Sequence, residues 1–194
     1  MSRAVSIKTI IEACEAAIAE AEHTYSNWSG GITMRAAPES LVQIKLAEKI
    51  SEKGVRVVLE YGVRQFMEES NGKSPALEKI PRNSQGRFDI VAFFKKGEPR
   101  LIIEVKKLNG SMSLDRDHKR IQEILQACPG VQCGIIVAYG TAAEKQTLTN
   151  RLKSQKSLDG IKLLQPVGPI PVTGKTGRPR FLAAGIYHVQ RTNT

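Results

Sequence analysis

Two short stretches hold the residues best suited to chemistry: Arg87-Phe88-Asp89-Ile90 and Ile103-Glu104-Val105-Lys106. Both read as strands by their apolar and β-branched content, and Lys95-Lys96-Gly97-Glu98-Pro99 between them suits a hairpin connection. A turn centred between Lys96 and Gly97 sets Asp89 opposite Glu104. The same register pairs Ile90 with Ile103, Phe88 with Val105 and Ala92 with Leu101 on one apolar face. The other face carries Val91 and Ile102, then Asp89 and Glu104, then Lys106 beyond them. Directly opposed side chains stand roughly 5 Å apart at Cβ, where like charges are destabilising. A divalent cation removes that conflict, because Mg²⁺ takes one or two carboxylates and completes its shell with waters and phosphate oxygens. Lys106, about two residues along the same face, is placed to orient or deprotonate a water, or to neutralise phosphate charge. A plain ion-pair ladder, with Lys106 neutralising Glu104, explains less because it leaves Asp89 facing a like charge.

These stretches, with fourteen residues between Asp89 and Glu104, resemble the signature of the PD-(D/E)XK nuclease superfamily. Phe88 stands where that family has a proline. The resemblance covers roughly residues 38–140, whose order of helix, strand, hairpin, helix and apolar strand is similar to a restriction-endonuclease-like core. It implies Asp89 and Glu104 as Mg²⁺ ligands, with Mn²⁺ able to substitute, and Lys106 as the catalytic lysine. It further implies an acidic residue from the preceding helix. Glu39 fits best there, Glu48 is a second candidate, and Glu60 is a further ligand or a plain strand-end carboxylate. The implied activity is a Mg²⁺-dependent endonuclease that hydrolyses DNA phosphodiesters with an activated water. The alternative is a catalytically inactive module on the same fold that binds nucleic acid or serves assembly.

The elements that must position these residues follow from periodicity. Ile7, Ile10, Ile11, Cys14, Ala17, Ile18 and Ala21 predict an amphipathic helix over 5–23, and the cluster Ser26–Gly31 breaks it. A second helix starts near Pro38, with Glu39 at its positive dipole end. A strand over 55–61 and a long polar loop over 67–86 come next. After the hairpin, 114–127 reads as a helix carrying Asp117, His118 and Arg120. The continuous apolar run 133–139 then reads as a buried central strand, partly in parallel pairing. A helix over 142–153, a Pro- and Gly-rich loop over 166–180 and a last strand over 181–189 complete the chain. The fold class is therefore α/β with a mixed sheet. Residues 1–37 form an N-terminal helical appendage, and residues 38–194 form the nuclease-like domain with a basic C-terminal part.

Composition bounds the partners. The 194 residues, 41% hydrophobic and 25% charged, suit one domain rather than two full cores. No apolar run approaches the roughly 18 residues of a membrane span, and the N-terminus lacks a signal-peptide layout, so a cytoplasmic protein is expected. Cys14, Cys128 and Cys133 are too scattered for a disulfide framework or a zinc site. The net charge is +10, and from Glu144 onward nine basic side chains face two acidic ones. That surplus predicts a nucleic-acid partner, gripped through phosphates. The contact candidates are Arg87, Lys107, Arg120, Lys175, Arg178 and Arg180. Val172–Gly177 fails the spacing of a phosphate loop, because Pro169 stands where a glycine is needed. A homodimer suits a double-strand cutter, and the isoleucine stripe of the first helix would suit a protein partner.

Overall fold

The computed structural model describes residues 6–70, 86–93, 97–108, 113–155, 159–173 and 179–191. Helix α1 (Ile7–Ser29) begins where the Ser6 hydroxyl accepts the Thr9 N–H at 3.2 Å. It runs through Ser26, Asn27 and Trp28, which were expected to break it, and stops at Gly30. Gly30 takes φ 66°, a left-handed conformation that a residue without Cβ adopts freely. Helix α2 (Glu39–Ser51) follows Pro38. Glu20 of α1 bridges Lys45 and Lys49 of α2 at 2.9 and 2.7 Å.

Six strands form one mixed sheet in the order β1-β2-β3-β4-β6-β5. They are β1 (Arg56–Gly62), β2 (Arg87–Phe93), β3 (Pro99–Lys107), β4 (Cys133–Ala142), β5 (Ile161–Thr173) and β6 (Pro179–Val189). The β3–β4 pair is parallel and the others are antiparallel. Helices α1 and α2 cover one face. Helices α3 (Val63–Glu69), α4 (Asp115–Ala127) and α5 (Lys145–Ser154) cover the other. The expected α/β class with a mixed sheet holds.

The apolar stripe of α1 shares a core with Ile90, Ile103, Ile135 and Ile186 of the sheet. The helix read as an appendage is thus built into one of the two hydrophobic layers. The expected loop over 166–180 is largely strand: β5 contains Pro166, Gly168, Pro169 and Pro171. It lies last in the sheet order, and its ladder shifts register at Leu163/Gln165 and at Val167/Ile170. Prolines, which donate no N–H, are tolerated on such an edge. Helix α3 was not expected and overlaps the expected long loop only at 67–69; residues 71–85 of that loop lie outside the described residues, as do Lys175 and Arg178.

The hairpin register predicted for β2 and β3 is present: Ile90 pairs with Ile103, Val91 with Ile102 and Ala92 with Leu101. The ladder ends at Ile90, so neither of the expected pairs Asp89–Glu104 and Phe88–Val105 is formed in it. Phe88 stacks edge-on against Phe66 of α3, with ring centroids 5.1 Å apart, in the layer opposite Ile90. The β1–β2 ladder passes from Leu59↔Ile90 to Tyr61↔Phe88, skipping Glu60. Glu60 has φ 52°, an uncommon value for a residue with a Cβ. The strand pair is thus irregular at the position of Asp89.

Candidate active site

Beyond Ile90, the β2–β3 ladder changes character. The Val105 N–H donates to Oδ2 of Asp89 at 2.7 Å, so a side chain stands where a strand carbonyl would otherwise accept. Asp89 is half-buried, and burial is the main influence raising its pKa. The Val105 hydrogen bond opposes that shift, the nearby Glu60 charge adds to it, and the Arg120 guanidinium and a hydrogen bond from Gln43 lower it. Glu104 is 4% exposed on β3. Its carboxyl is pushed up to about 9, chiefly by burial, with Arg120 opposing and the charges of Asp89 and Asp117 adding to the rise. The Asp89 charge thus lies near enough to Glu104 to disfavour its ionisation, although the two are not paired in the ladder.

Helix α4 supplies the counter-charges. Arg120 Nη2 stands 2.5 Å from Glu104 Oε1 and so pairs with the buried carboxyl. Arg120 also approaches Asp117 at 3.8 Å and lies over the Phe88 ring at 5.6 Å from its centroid. Lys106 Nζ lies 3.6 Å from Asp117 Oδ2, on the same face of β3 as Glu104. The cluster therefore combines three acids, Asp89, Glu104 and Asp117, with two cations, Lys106 and Arg120.

The other sequence candidates fall elsewhere. Glu39, at the head of α2, accepts the Lys107 N–H on Oε1 at 2.7 Å, and this ties α2 to the end of β3. Lys107 points away from Lys106 and donates Nζ to the Ala37 carbonyl at 2.9 Å. Burial lowers its pKa, against the nearby Glu39 charge. Glu48 bonds Lys45 at 2.8 Å on an exposed face of α2. Arg87 is exposed at the start of β2. His118 is buried on α4, where burial draws its pKa down. Arg180 lines a cavity at the end of the sheet. Gln43 escaped the sequence reading. It follows Glu39 by four residues and so shares its side of α2, a spacing that could have flagged it. The Lys106–Asp117 contact depended on where α4 docks, which spacing does not give.

No family model, curated protein or solved structure matches this chain. None of the described helices is long and apolar enough to cross a membrane. Nor do three or more acidic, histidine or cysteine side chains among the described residues gather into a ready-made metal group. Asp89 and Glu104 nevertheless fit a hard cation in one respect. Both are acids on neighbouring strands, and burial disfavours the charged form of each. A cation beside them would favour the ionised form of both acids.

Proposed function

We propose that the chain is a divalent-metal-dependent nuclease related to the PD-(D/E)XK superfamily, acting on DNA, with Asp89, Glu104 and Lys106 as its working residues. The observation that supports this reading is the buried Glu104 on the same face of β3 as Lys106, with Asp89 on the neighbouring strand accepting the Val105 N–H. Asp89 and Glu104 would hold the ion. Bound there, Mg²⁺ supplies Lewis acidity at a phosphodiester oxygen and makes water a better nucleophile at neutral pH. Lys106, steadied by Asp117, orients the attacking water or offsets charge on the phosphate. Arg120 stands against Glu104 in the metal-free protein and would take a phosphate oxygen once an ion replaced it there. Glu39 holds the β3 end in place and completes the acidic set only if its grip on the Lys107 amide loosens.

A second reading draws on the same contact. With Arg120 standing on Glu104 as a built-in cation, the site would be a nucleic-acid-binding relic without turnover. Plasmid cleavage with Mg²⁺ separates the two. Wild type should nick or linearise the plasmid, and Asp89→Asn and Lys106→Ala should each lower the rate at least 100-fold. Full activity in both variants would overturn the proposal. A wild type that binds DNA, takes no Mg²⁺ in a calorimetric titration and never cuts would establish the second reading.

A further inference from the structure

A cavity of about 700 Å³ opens at the carboxyl ends of the parallel strands β3 and β4. Its walls come from both helical layers. Arg35 enters from the segment before α2, Leu108 from the end of β3, Thr141 and Glu144 from the exit of β4, Arg151 from α5 and Arg180 from β6. Three guanidinium groups thus face one carboxylate. No ion pair among the described residues involves Arg35, Arg151 or Arg180. Arg180 keeps its Nε buried without an acceptor. Such an unmet charged donor is destabilising until an anion accepts from it. Ala142 pairs with Phe181, which brings Arg180 beside the exit of β4, and Lys145 lies 5.1 Å over the Phe181 ring centroid.

We infer that this cavity binds successive phosphates of the nucleic-acid strand whose scissile bond lies at Glu104 and Lys106. The strand assignment rests on the nuclease reading, while the anion preference rests on the cavity alone. Leu108 follows Lys106 by two residues, roughly 7 Å of extended chain, so cavity and carboxylates lie at the same end of β3. Ligands of open α/β sheets gather at the carboxyl ends of parallel strands. An open, polar cavity with guanidinium groups from three elements suits a threaded backbone, and bidentate Arg–phosphate contacts supply its grip.

The test is fluorescence anisotropy of a short labelled DNA in EDTA over a range of salt concentrations, comparing wild type, Asp89→Asn, Arg35→Ala, Arg151→Ala and the double arginine variant. Unchanged melting temperatures would show that the arginine variants fold. Asp89→Asn should bind at least as tightly as wild type, because it removes a negative charge beside the scissile phosphate. The double variant should bind at least 10-fold more weakly, and its salt slope should fall by roughly 2, about 0.9 per lost phosphate contact. With Mg²⁺, the arginine variants should raise KM and leave kcat nearly unchanged. Unchanged affinity and slope in the double variant would overturn the inference, whatever the cleavage result. Binding of inorganic pyrophosphate by wild type, together with unchanged DNA affinity in the variants, would assign the cavity to a small anion and also overturn it. Loss of DNA binding in the arginine variants of a protein that never cuts would keep the cavity assignment and remove the nuclease.

Discussion

Glu104 is a residue held against its own interest. Its carboxyl ordinarily titrates near 4.5 and is pushed up to about 9 in the fold, mainly by burial. Between these pH values the folded chain keeps a proton that the unfolded chain has released. Rising pH therefore favours unfolding through this interval. Glu104→Gln removes the effect while keeping the shape. In metal-free buffer near pH 8 it should melt several degrees above wild type, since about 1 kcal/mol moves the midpoint of a chain this size by roughly 2–4 °C. By about pH 4 the difference should vanish, because both states of wild type are then protonated. Mg²⁺ should raise the midpoint of wild type and leave Glu104→Gln unmoved. Equal midpoints at both pH values would contradict this account. Asp89 makes the complementary case. Its Oδ2 accepts the Val105 N–H, so Asp89→Ala orphans a half-buried donor at about 1–3 kcal/mol. Asp89→Asn still offers an acceptor. Thermal melts should therefore place Asp89→Asn close to wild type and Asp89→Ala several degrees lower, with neither variant cutting DNA. At this scale the sequence placed Glu104 and Lys106 on one face of β3 and Asp89 on the neighbouring strand, because strand alternation and hairpin register are local rules, but it did not show that the ladder stops short of Asp89. It concealed Gln43 and the partnering of Lys106 with Asp117, since both depend on where a helix comes to rest.

Among the elements, α4 decides the state of the site, because it brings Asp117 and Arg120 over β3. Its approach to the sheet is set by Gly134 on β4. A Cβ at that position would overlap Cγ2 of Ile121, the residue next to Arg120. Gly134→Ala should lift α4, cost about 1–3 kcal/mol of stability by overpacking, and lower the cleavage rate by loosening Arg120 and Asp117. A double-mutant cycle checks the cause: in an Ile121→Ala background, Gly134→Ala should cost much less in melting temperature. Additive effects would place the origin elsewhere. Helices α1, α2, α4 and α5 and the strands β2, β3 and β4 were legible because their apolar spacing is unambiguous, whereas the short α3 was not. In β4 every residue from Cys133 to Gly140 is buried, as a central strand demands. β5 was not legible. Its prolines are loop signals in isolation, and they become compatible with a strand only once the sheet order puts that strand at an edge. The irregularity at Glu60 was equally hidden, since nothing in the residue type calls for a left-handed conformation there.

For the molecule as a whole, charge and core are divided unequally along the chain. Residues 1–37 carry three basic and four acidic side chains, while residues 111–194 carry twelve and five. The basic surplus is thus loaded toward the C-terminal part, and the N-terminal segment contributes chiefly apolar surface. Ile10, Ala13, Cys14, Ala17, Ile18 and Ala21 of α1 are each 2% exposed or less and close one layer over α2 and the sheet. Burying a large aliphatic side chain contributes about 1.5–3 kcal/mol. Removing α1 would forfeit two isoleucines and four smaller side chains, and would also uncover Leu41, Val42, Leu46 and Ile50 of α2, which lie in the same cluster. That total approaches the whole stability of a typical domain, about 5–15 kcal/mol. Deleting residues 1–30 should therefore abolish cooperative melting and catalysis together, not merely detach a docking helix. Trp28, the single tryptophan, leaves with the deleted segment, so the measurement is circular dichroism melting combined with gel filtration. A truncated chain that melts cooperatively near the wild-type midpoint and still binds DNA would show that α1 is a separable partner-binding element. An expanded or aggregating chain without a transition would show that the same helix is structural, and that the site on β3 depends on a layer to which it contributes no side chain.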